Sequence, residues 1–501
     1  MRTSPAALAA ALIGASTAIL HGQEAPLSAI PWLSDSIATP RAAGETLDAP
    51  RTVSDAITTL PLGATRRDAV GLTSAERAGV PRDAVAGSDP ADLARLYAAI
   101  PTDALPAVQA VVMRLLLAEL DPPRAAVDPD ALFFARVDAL LRLGALDQAQ
   151  ALLERAGATD KTAFRRWFDV SLLTGYDTRA CDAMTANPGV APTLPARIFC
   201  LSRTGDWAAA ALTLETGRAL GHISDADDLL LAHFLDPELF EGEPPPEPQE
   251  PMTPLAFRLL DGIGETPDTP ALPLAFAAAD LRPTTGWKAQ IEAAERLVRA
   301  GALDANRLLS LYTERRPAAS GGVWDRATAI QALDTALLGG RVEAVADALP
   351  DAFARMRQAR LVVPFAQLYG ARLMRLGLPG EAGVLADRLG LLSDAPARLA
   401  MGVAPDGPLA FAAAIARGEV PPPTTDPIAQ AVADGFTAPP AEDAMRLAGE
   451  GRLAEALLRA LAPMARGRDA DPRAVTEGLA LLQATGFEEA ARRLALQILL
   501  A

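Results

Sequence analysis

The residues whose spacing suggests a defined chemistry are the only two cysteines of the sequence, Cys181 and Cys200. They lie at nearly equal distances from a segment rich in turn residues, 187–193, that should connect two helices. Residues placed in this way face each other across an antiparallel helix pair. We therefore expect a disulfide that closes a loop of about 20 residues and contributes on the order of 3 kcal/mol. The alternative is two buried thiols that act as small apolar side chains. A redox-active pair is disfavoured because the spacing is not C-x-x-C.

Residues suited to catalysis are few. Histidine occurs only three times, at His21, His222 and His233. The acidic run 225–228 could complete a metal site with the last two, but Ser224 followed by acidic residues is more typical of a helix start. The common zinc, phosphate-binding, nucleophile and calcium motifs do not occur. We therefore expect no catalytic, metal or cofactor-binding residues, no cofactor, and a protein that is not an enzyme.

The charge of the chain restricts its partners. The sequence of 501 residues has a net charge of −16, with 46 lysines and arginines against 62 aspartates and glutamates. Nucleic acids and anionic membranes carry the same sign of charge and would be repelled. The net charge therefore favours a protein as the binding partner.

The composition predicts an all-α fold. Half of the residues are hydrophobic, alanine and leucine dominate, and alternating runs of β-branched or aromatic residues are scarce. Five Asp-Pro pairs fit a helix start with Asp as N-cap and Pro in the first turn: 89–90, 128–129, 236–237, 426–427 and 471–472. Trp167 and Trp207 are expected to fill gaps between helices.

A local pattern recurs along these helices. An apolar helical segment ends at a glycine, and an alanine follows, usually five residues later. The glycines are Gly144, Gly175, Gly205, Gly301, Gly340, Gly377, Gly451 and Gly486, and the alanines are Ala149, Ala180, Ala210, Ala305, Ala344, Ala382, Ala456 and Ala491. The glycine should end one helix in a left-handed conformation, and the alanine should let the next helix approach closely. A period of 30 to 40 residues is typical of stacked helical hairpins.

The Gly-to-Ala spacing resembles the turn of tetratricopeptide repeats, over about residues 130–220 and 290–500. The resemblance implies a tetratricopeptide-like α-solenoid of stacked antiparallel helical hairpins. The aromatic positions and closing proline of that family's motif are not consistently present, so no peptide-binding residue is transferred to this chain.

The N-terminus has the three zones of a secretory signal peptide. In residues 1–22 an arginine precedes an apolar run, and the chain turns polar directly afterwards. The run is short for a membrane span, so we expect cleavage, export to the periplasm of a bacterium and no stable membrane insertion. An uncleaved anchor or a soluble helix is the alternative.

The remainder is predicted to have four parts. Residues 23–87 should be a mostly disordered arm, 88–240 an N-terminal helical-repeat array, 241–254 an acidic Pro-rich linker, and 255–501 a C-terminal array.

The arm contains one short apolar segment, residues 26–37, which could dock on a partner or back on its own chain. Its apolar positions are Leu27, Ile30, Trp32, Leu33 and Ile37.

The expected function is that of an exported scaffold or adaptor that binds protein partners in the cell envelope. The alternative is a protein that acts on peptidoglycan or binds sugars, because soluble lytic transglycosylases also begin with alanine-rich superhelices. Those precede a compact catalytic domain, whereas here the helical pattern continues to the last residues. A purely structural spacer is the third possible function.

Overall fold

Aspartate caps start several of the helices. The structure, a computed structural model, describes residues 66–124, 126 and 128–501, and this part of the chain contains 25 α-helices. Asp89, Asp426 and Asp471 each accept a hydrogen bond from a backbone N–H of the first helical turn, as predicted. The pair 128–129 lies just before a helix, and no helix begins at 236–237. The prediction of an all-helical protein is confirmed.

The helices follow one another with short connections. Those before the acidic Pro-rich segment are α1 (Ala75–Ala78), α2 (Pro90–Ala99), α3 (Pro106–Leu117), α4 (Ala131–Arg142), α5 (Leu146–Ala156), α6 (Lys161–Thr174), α7 (Asp177–Ala186), α8 (Leu194–Arg203), α9 (Trp207–Ala219) and α10 (Asp225–Leu235). After that segment come α11 (Pro254–Gly262), α12 (Ala277–Asp280), α13 (Trp287–Arg299), α14 (Ala305–Glu314), α15 (Val323–Leu338), α16 (Val342–Gln358), α17 (Val362–Met374), α18 (Gly380–Leu391), α19 (Pro396–Leu399) and α20 (Ala410–Arg417). The last five are α21 (Pro427–Gly435), α22 (Glu442–Gly449), α23 (Leu453–Met464), α24 (Pro472–Ala484) and α25 (Glu488–Leu500).

The two strands of the described chain are only two residues long. Strand β1 (Thr73–Ser74) pairs in parallel with β2 (Ala118–Glu119), and Thr73 lies opposite Ala118.

The predicted turns between helices have the expected geometry. All eight repeat glycines have a left-handed backbone, with φ between 61° and 89°. At Gly144 the N–H groups of the glycine and of the next residue donate hydrogen bonds to carbonyls in the last turn of α4. These carbonyls would otherwise have no partner within the helix. Seven of the eight alanines are buried; Ala344 is half-buried. Small residues therefore do allow close helix contacts at these positions.

The hydrophobic cores divide the chain differently from the predicted arrays. One core contains residues from the range 75–279 together with residues from 415–498, and a second contains residues from 287–416 with Leu496 and Leu500. Residues 241–254 contain no helix before Pro254, as expected for a linker. They do not separate two cores, however, because α10 before them and α11 after them both contribute to the first core.

The first and last helices of the described chain contact each other. Helices α2 and α3 pack against α23, and α3 also packs against α25. Backbone hydrogen bonds join the two regions, since the N–H of Gly87 donates to the Gly451 carbonyl and the N–H of Ala454 donates to that of Ala84, both at 2.9 Å. The array of helices is therefore closed.

The arm predicted at residues 23–87 needs a correction at its C-terminal end. Residues 66–87 are ordered, and Val80, Ala84 and Val85 belong to the first core. One arginine, Arg136 of α4, explains much of this order. It is fully buried and donates to four carbonyls on both sides of the strand pair: those of Leu116 (2.7 Å), Val70 (2.8 Å), Ala118 (2.9 Å) and Asp68 (3.3 Å).

Asp68 completes this buried polar cluster. Its side chain is fully buried and accepts a hydrogen bond from the Phe133 N–H at 2.7 Å, near the start of α4. Burial raises the pKa of the Asp68 carboxyl to about 6, although the Phe133 N–H and the nearby Arg66 act in the opposite direction. Burial likewise lowers the pKa of Arg136. The cluster thus fastens residues 66–74 to α4 by polar contacts, which a search for apolar periodicity does not detect.

We predict that Arg136→Met lowers the free energy of unfolding by about 3 kcal/mol, because several buried carbonyls lose their donor. Urea unfolding measures the loss, and limited proteolysis should show new cleavage within residues 66–87. Arg142→Met on the same helix is the matched control, since Arg142 donates to the single carbonyl of Tyr97. Equal losses in the two variants would show that Arg136 has no special role in ordering residues 66–87.

Candidate functional site

A disulfide fixes two neighbouring helices in the N-terminal half of the chain. Cys181 of α7 and Cys200 of α8 are bonded, with a Cα–Cα distance of 4.9 Å, and both side chains are buried. The cysteines thus face each other across adjacent helices, as predicted from the loop between them. The bond leaves no free cysteine in the described chain.

A row of aromatic rings leads from this disulfide to the surface. Phe199, next to Cys200, lies 6.5 Å from Phe168 and 5.8 Å from Phe234, measured between ring centroids. Phe234 in turn lies 6.3 Å from Trp207 at the start of α9. Phe168 and Phe199 are buried, whereas Trp207 is 50% exposed. The row therefore connects the core to an aromatic side chain that solvent can reach.

The structure corrects one of the two tryptophan predictions. Trp167 is buried and its indole N–H donates to Glu154 at 3.2 Å, so it fills a gap between helices as expected. Trp207 does not fill such a gap completely, because its side chain is 50% exposed at the start of α9 although its ring lies 6.3 Å from that of Phe234.

Helix α9 carries apolar side chains on its solvent side as well as on its packed side, next to the exposed Glu215, Thr216 and Arg218. It buries only Ala210, Leu214 and Gly217, which lie on one face at helical spacing. The opposite face includes Ala208, Ala211, Leu212 and Ala219, all exposed. In the described chain, α9 packs mainly against α8 and α10, and its outer face is uncovered.

Exposed apolar side chains are concentrated around this helix. Six of the eleven large hydrophobic residues that are exposed in the described chain lie between residues 176 and 239. Five of them lie on α9, on α10 or directly after either helix, and we call them the α9–α10 surface: Trp207, Leu212, Leu220, Leu229 and Leu239. Exposed apolar residues that are concentrated in this way indicate a site of interaction.

The same region carries most of the excess negative charge. Residues 206–250 contain eleven aspartates and glutamates and one arginine, a net charge of −10 within a chain of −16. The lone cation, Arg218, is bonded to Asp228 at 2.8 Å, and this hydrogen bond raises the pKa of Arg218. Most of the acidic residues therefore have no cationic neighbour within the segment.

The acidic run at residues 225–228 serves as a helix start. The hydroxyl of Ser224 accepts from the Asp227 N–H at 3.2 Å, and Asp228 pairs with Arg218. His233 is buried and stacks on Phe240 with a centroid distance of 4.0 Å, while His222 is exposed. No group of three or more potential metal ligands comes together among the described residues.

Several predicted features lie outside the described residues. The signal peptide, residues 1–22, and the apolar segment 26–37 are among them, so Leu27, Ile30, Trp32, Leu33 and Ile37 have no structural test.

The α9–α10 surface was missed by the sequence reasoning. The sequence does contain the relevant pattern. Ala210 is predicted to lie on the packed face of α9, and Leu212, two residues later, lies about 200° around the same helix and therefore on the opposite face.

Comparison with known proteins gives no relative: no protein family, no curated protein and no solved structure matches the chain. Within the described ranges, every helix is too short or too polar to cross a lipid bilayer.

We predict that replacing both cysteines by alanine lowers the free energy of unfolding by about 3 kcal/mol, because the unfolded chain regains the freedom of the closed loop. Chemical unfolding with and without reductant measures the difference, which should disappear when the wild-type protein is reduced. Alkylation that finds two free thiols in the untreated protein would contradict the disulfide.

Proposed function

We propose that the chain is an exported helical-repeat scaffold or adaptor that binds a protein partner in the bacterial periplasm. The observation that carries the proposal is the α9–α10 surface, where exposed apolar side chains lie within the most acidic part of the molecule. An apolar centre with a charged surround is typical of surfaces that recognise another protein.

The helical-repeat assignment rests on the turns. Eight left-handed glycines, each followed by a small residue where the next helix packs, support a tetratricopeptide-like array of hairpins. In the proposed scaffold the array is closed by its end helices, which makes it a rigid frame. Helix α9 then presents the binding surface, and the disulfide between α7 and α8 stiffens the support beneath it.

The charge of the region specifies the chemistry of the partner. A segment of net charge −10 around leucine and tryptophan side chains complements a basic amphipathic helix, whose apolar face would cover α9 and whose lysines and arginines would meet the acidic surround. The chain's own arm is a poorer occupant. Residues 23–65 hold five acidic residues and two arginines, so like charges would oppose its docking here.

We predict that an amphipathic helical peptide of leucine and lysine binds the protein, and that the matching leucine and glutamate peptide does not. Fluorescence anisotropy of the labelled peptides at 0.15 M NaCl measures both affinities. Leu212→Ser should weaken binding of the basic peptide at least fivefold, because Leu212 is 68% exposed at the centre of the outer face.

Leu338→Ser provides the matched control. Leu338 is a leucine of similar exposure, 73%, at the end of α15. Its substitution should leave the affinity unchanged. If both variants bind the basic peptide as the wild type does, the attraction is only electrostatic and the α9–α10 surface is not the docking site.

Export is the second part of the proposal. It is supported by the charged, apolar and polar zones of residues 1–22 and by a disulfide, which persists in oxidising compartments. We predict that the protein recovered from a periplasmic extract begins after Gly22 and lacks free thiols, as intact-mass measurement would show. Recovery of the protein from the cytoplasm with Met1 present and both thiols free would contradict export.

A further inference from the structure

Four segments that are distant in sequence meet around two adjoining cavities. The segments are the loop before α3 (101–106), the end of α13 (296–299), the turn between α16 and α17 (357–364) and the connection after α23 (465–469). The cavities have volumes of 680 Å³ and 630 Å³ and share Asp103, Arg299 and Arg360. Their size is that of ordinary small-molecule sites.

The lining of these cavities has the opposite charge to the protein as a whole. Two aspartates face the cavities, Asp103 and Asp469, whereas five arginines do so: Arg296, Arg299, Arg357, Arg360 and Arg466.

Most of the five guanidinium groups lack a carboxylate partner. Only Arg360 forms an ion pair, with Asp103 at 2.8 Å. Arg299 donates to the carbonyl of Ala359 at 2.9 Å. Among the described residues, Arg357 and Arg466 form no ion pair and no side-chain hydrogen bond, although Arg357 lies over the Phe353 ring, 5.8 Å from the ring centroid. Both side chains are exposed and line the cavity, so their N–H donors are available to an anion.

The environment of Arg299 favours an additional negative charge. Its side chain is largely buried, and burial is the main reason that its pKa is lowered. The cations Arg326 and Arg360 lower that pKa further, and Glu295 raises it. Glu295 is already bonded to Arg326 through both oxygens, at 2.7 Å and 2.6 Å. The positive charge at this position is therefore only partly balanced by the protein.

The backbone at Arg360 takes the left-handed conformation that ends α16, because the N–H groups of Arg360 and Leu361 donate to carbonyls of the last turn, as happens at Gly144. Arg360 has φ of 57° and is the single residue other than glycine with a positive φ in the described chain. An arginine is disfavoured in this conformation relative to the glycines that hold the corresponding place at the repeat turns. Here the conformation places the guanidinium against Asp103 at the boundary of both cavities.

We propose that these cavities bind a small organic anion with at least two phosphate or carboxylate groups. The guanidinium groups of Arg299, Arg357 and Arg466 bind its charged groups. Leu105, Leu272 and Val362, which line the same space, contact its carbon skeleton.

Binding in this place also affects the closure of the chain. The ligand contacts residues before α3, after α16 and after α23, and it thus connects the first helices to the last ones. A ligand that binds only this closed arrangement stabilises it.

The test is isothermal titration calorimetry of the full chain at 0.15 M NaCl, with inorganic pyrophosphate as the phosphate probe and citrate as the carboxylate probe. We expect at least one of them to bind, and the tighter of the two identifies the charged group. Combining Arg357→Gln with Arg466→Gln should weaken that binding at least tenfold. Both residues are exposed, and Arg357 loses only its position over the Phe353 ring, 5.8 Å from the ring centroid, so the variant should fold.

Arg316→Gln on each background supplies the control for net charge, because Arg316 is exposed and lies outside both cavities. It should leave the affinity within twofold of that of its parent. Failure of both probes to bind at millimolar concentration overturns the proposal. So does a loss in Arg316→Gln as large as that in the cavity variants, because binding would then follow overall charge and not this site.

Discussion

The contact between the first and last helices of the described chain determines how the rest of the structure can be arranged. In a linear array of hairpins, the terminal hairpins each have one apolar face without a neighbour. Here α2 and α3 cover one such face and α23 to α25 cover the other, so the two faces bury each other. Gln497 reinforces this contact, since its side-chain oxygen accepts from the Ala107 N–H at 2.8 Å in a buried position. Closure thus replaces the polar capping repeats that an open array would need.

Closure also explains where the two candidate sites lie. One of the two arginine-lined cavities forms where both ends of the described chain meet the turn between α16 and α17, so its lining is complete only in the closed arrangement. The α9–α10 surface lies on a helix that takes no part in the contact between the ends. The two surfaces have opposite charge, which separates a site for anions from a site for a basic protein segment within one acidic molecule.

The local features of this fold could be predicted from sequence, and its long-range features could not. The left-handed glycines and the buried alanines follow from short-range geometry, as does the pairing of Cys181 with Cys200. The order of residues 66–87 depends on Arg136, a charged residue that a hydrophobicity pattern assigns to the surface. The closure depends on contacts between residues more than 350 positions apart, such as Ala84 with Ala454, and nothing in either local sequence encodes them.

The exposed position of Trp207 shows a different limit. Its residue type and its place at the start of a helix are compatible with a core position, but its side chain is 50% exposed and, within the described chain, lies near only one other ring, that of Phe234. Sequence periodicity identifies the face of a helix that is apolar, but it does not show whether another helix covers that face. Whether another helix covers the apolar outer face of α9 therefore decides if that face is part of the core or is free to bind a partner.

The closure is tested most directly by hydrogen exchange, measured by mass spectrometry on peptides that contain Gly87 and Ala454. Both amides donate across the contact between the two ends of the chain. Gly87 lies just before α2 and Ala454 lies in the first turn of α23, and backbone amides at such positions usually exchange fast. Protection of both, lost together at the denaturant concentration that unfolds α24, is the predicted result. Rapid exchange of both amides in a protein whose helices are otherwise protected would mean that the array is open and would contradict the account.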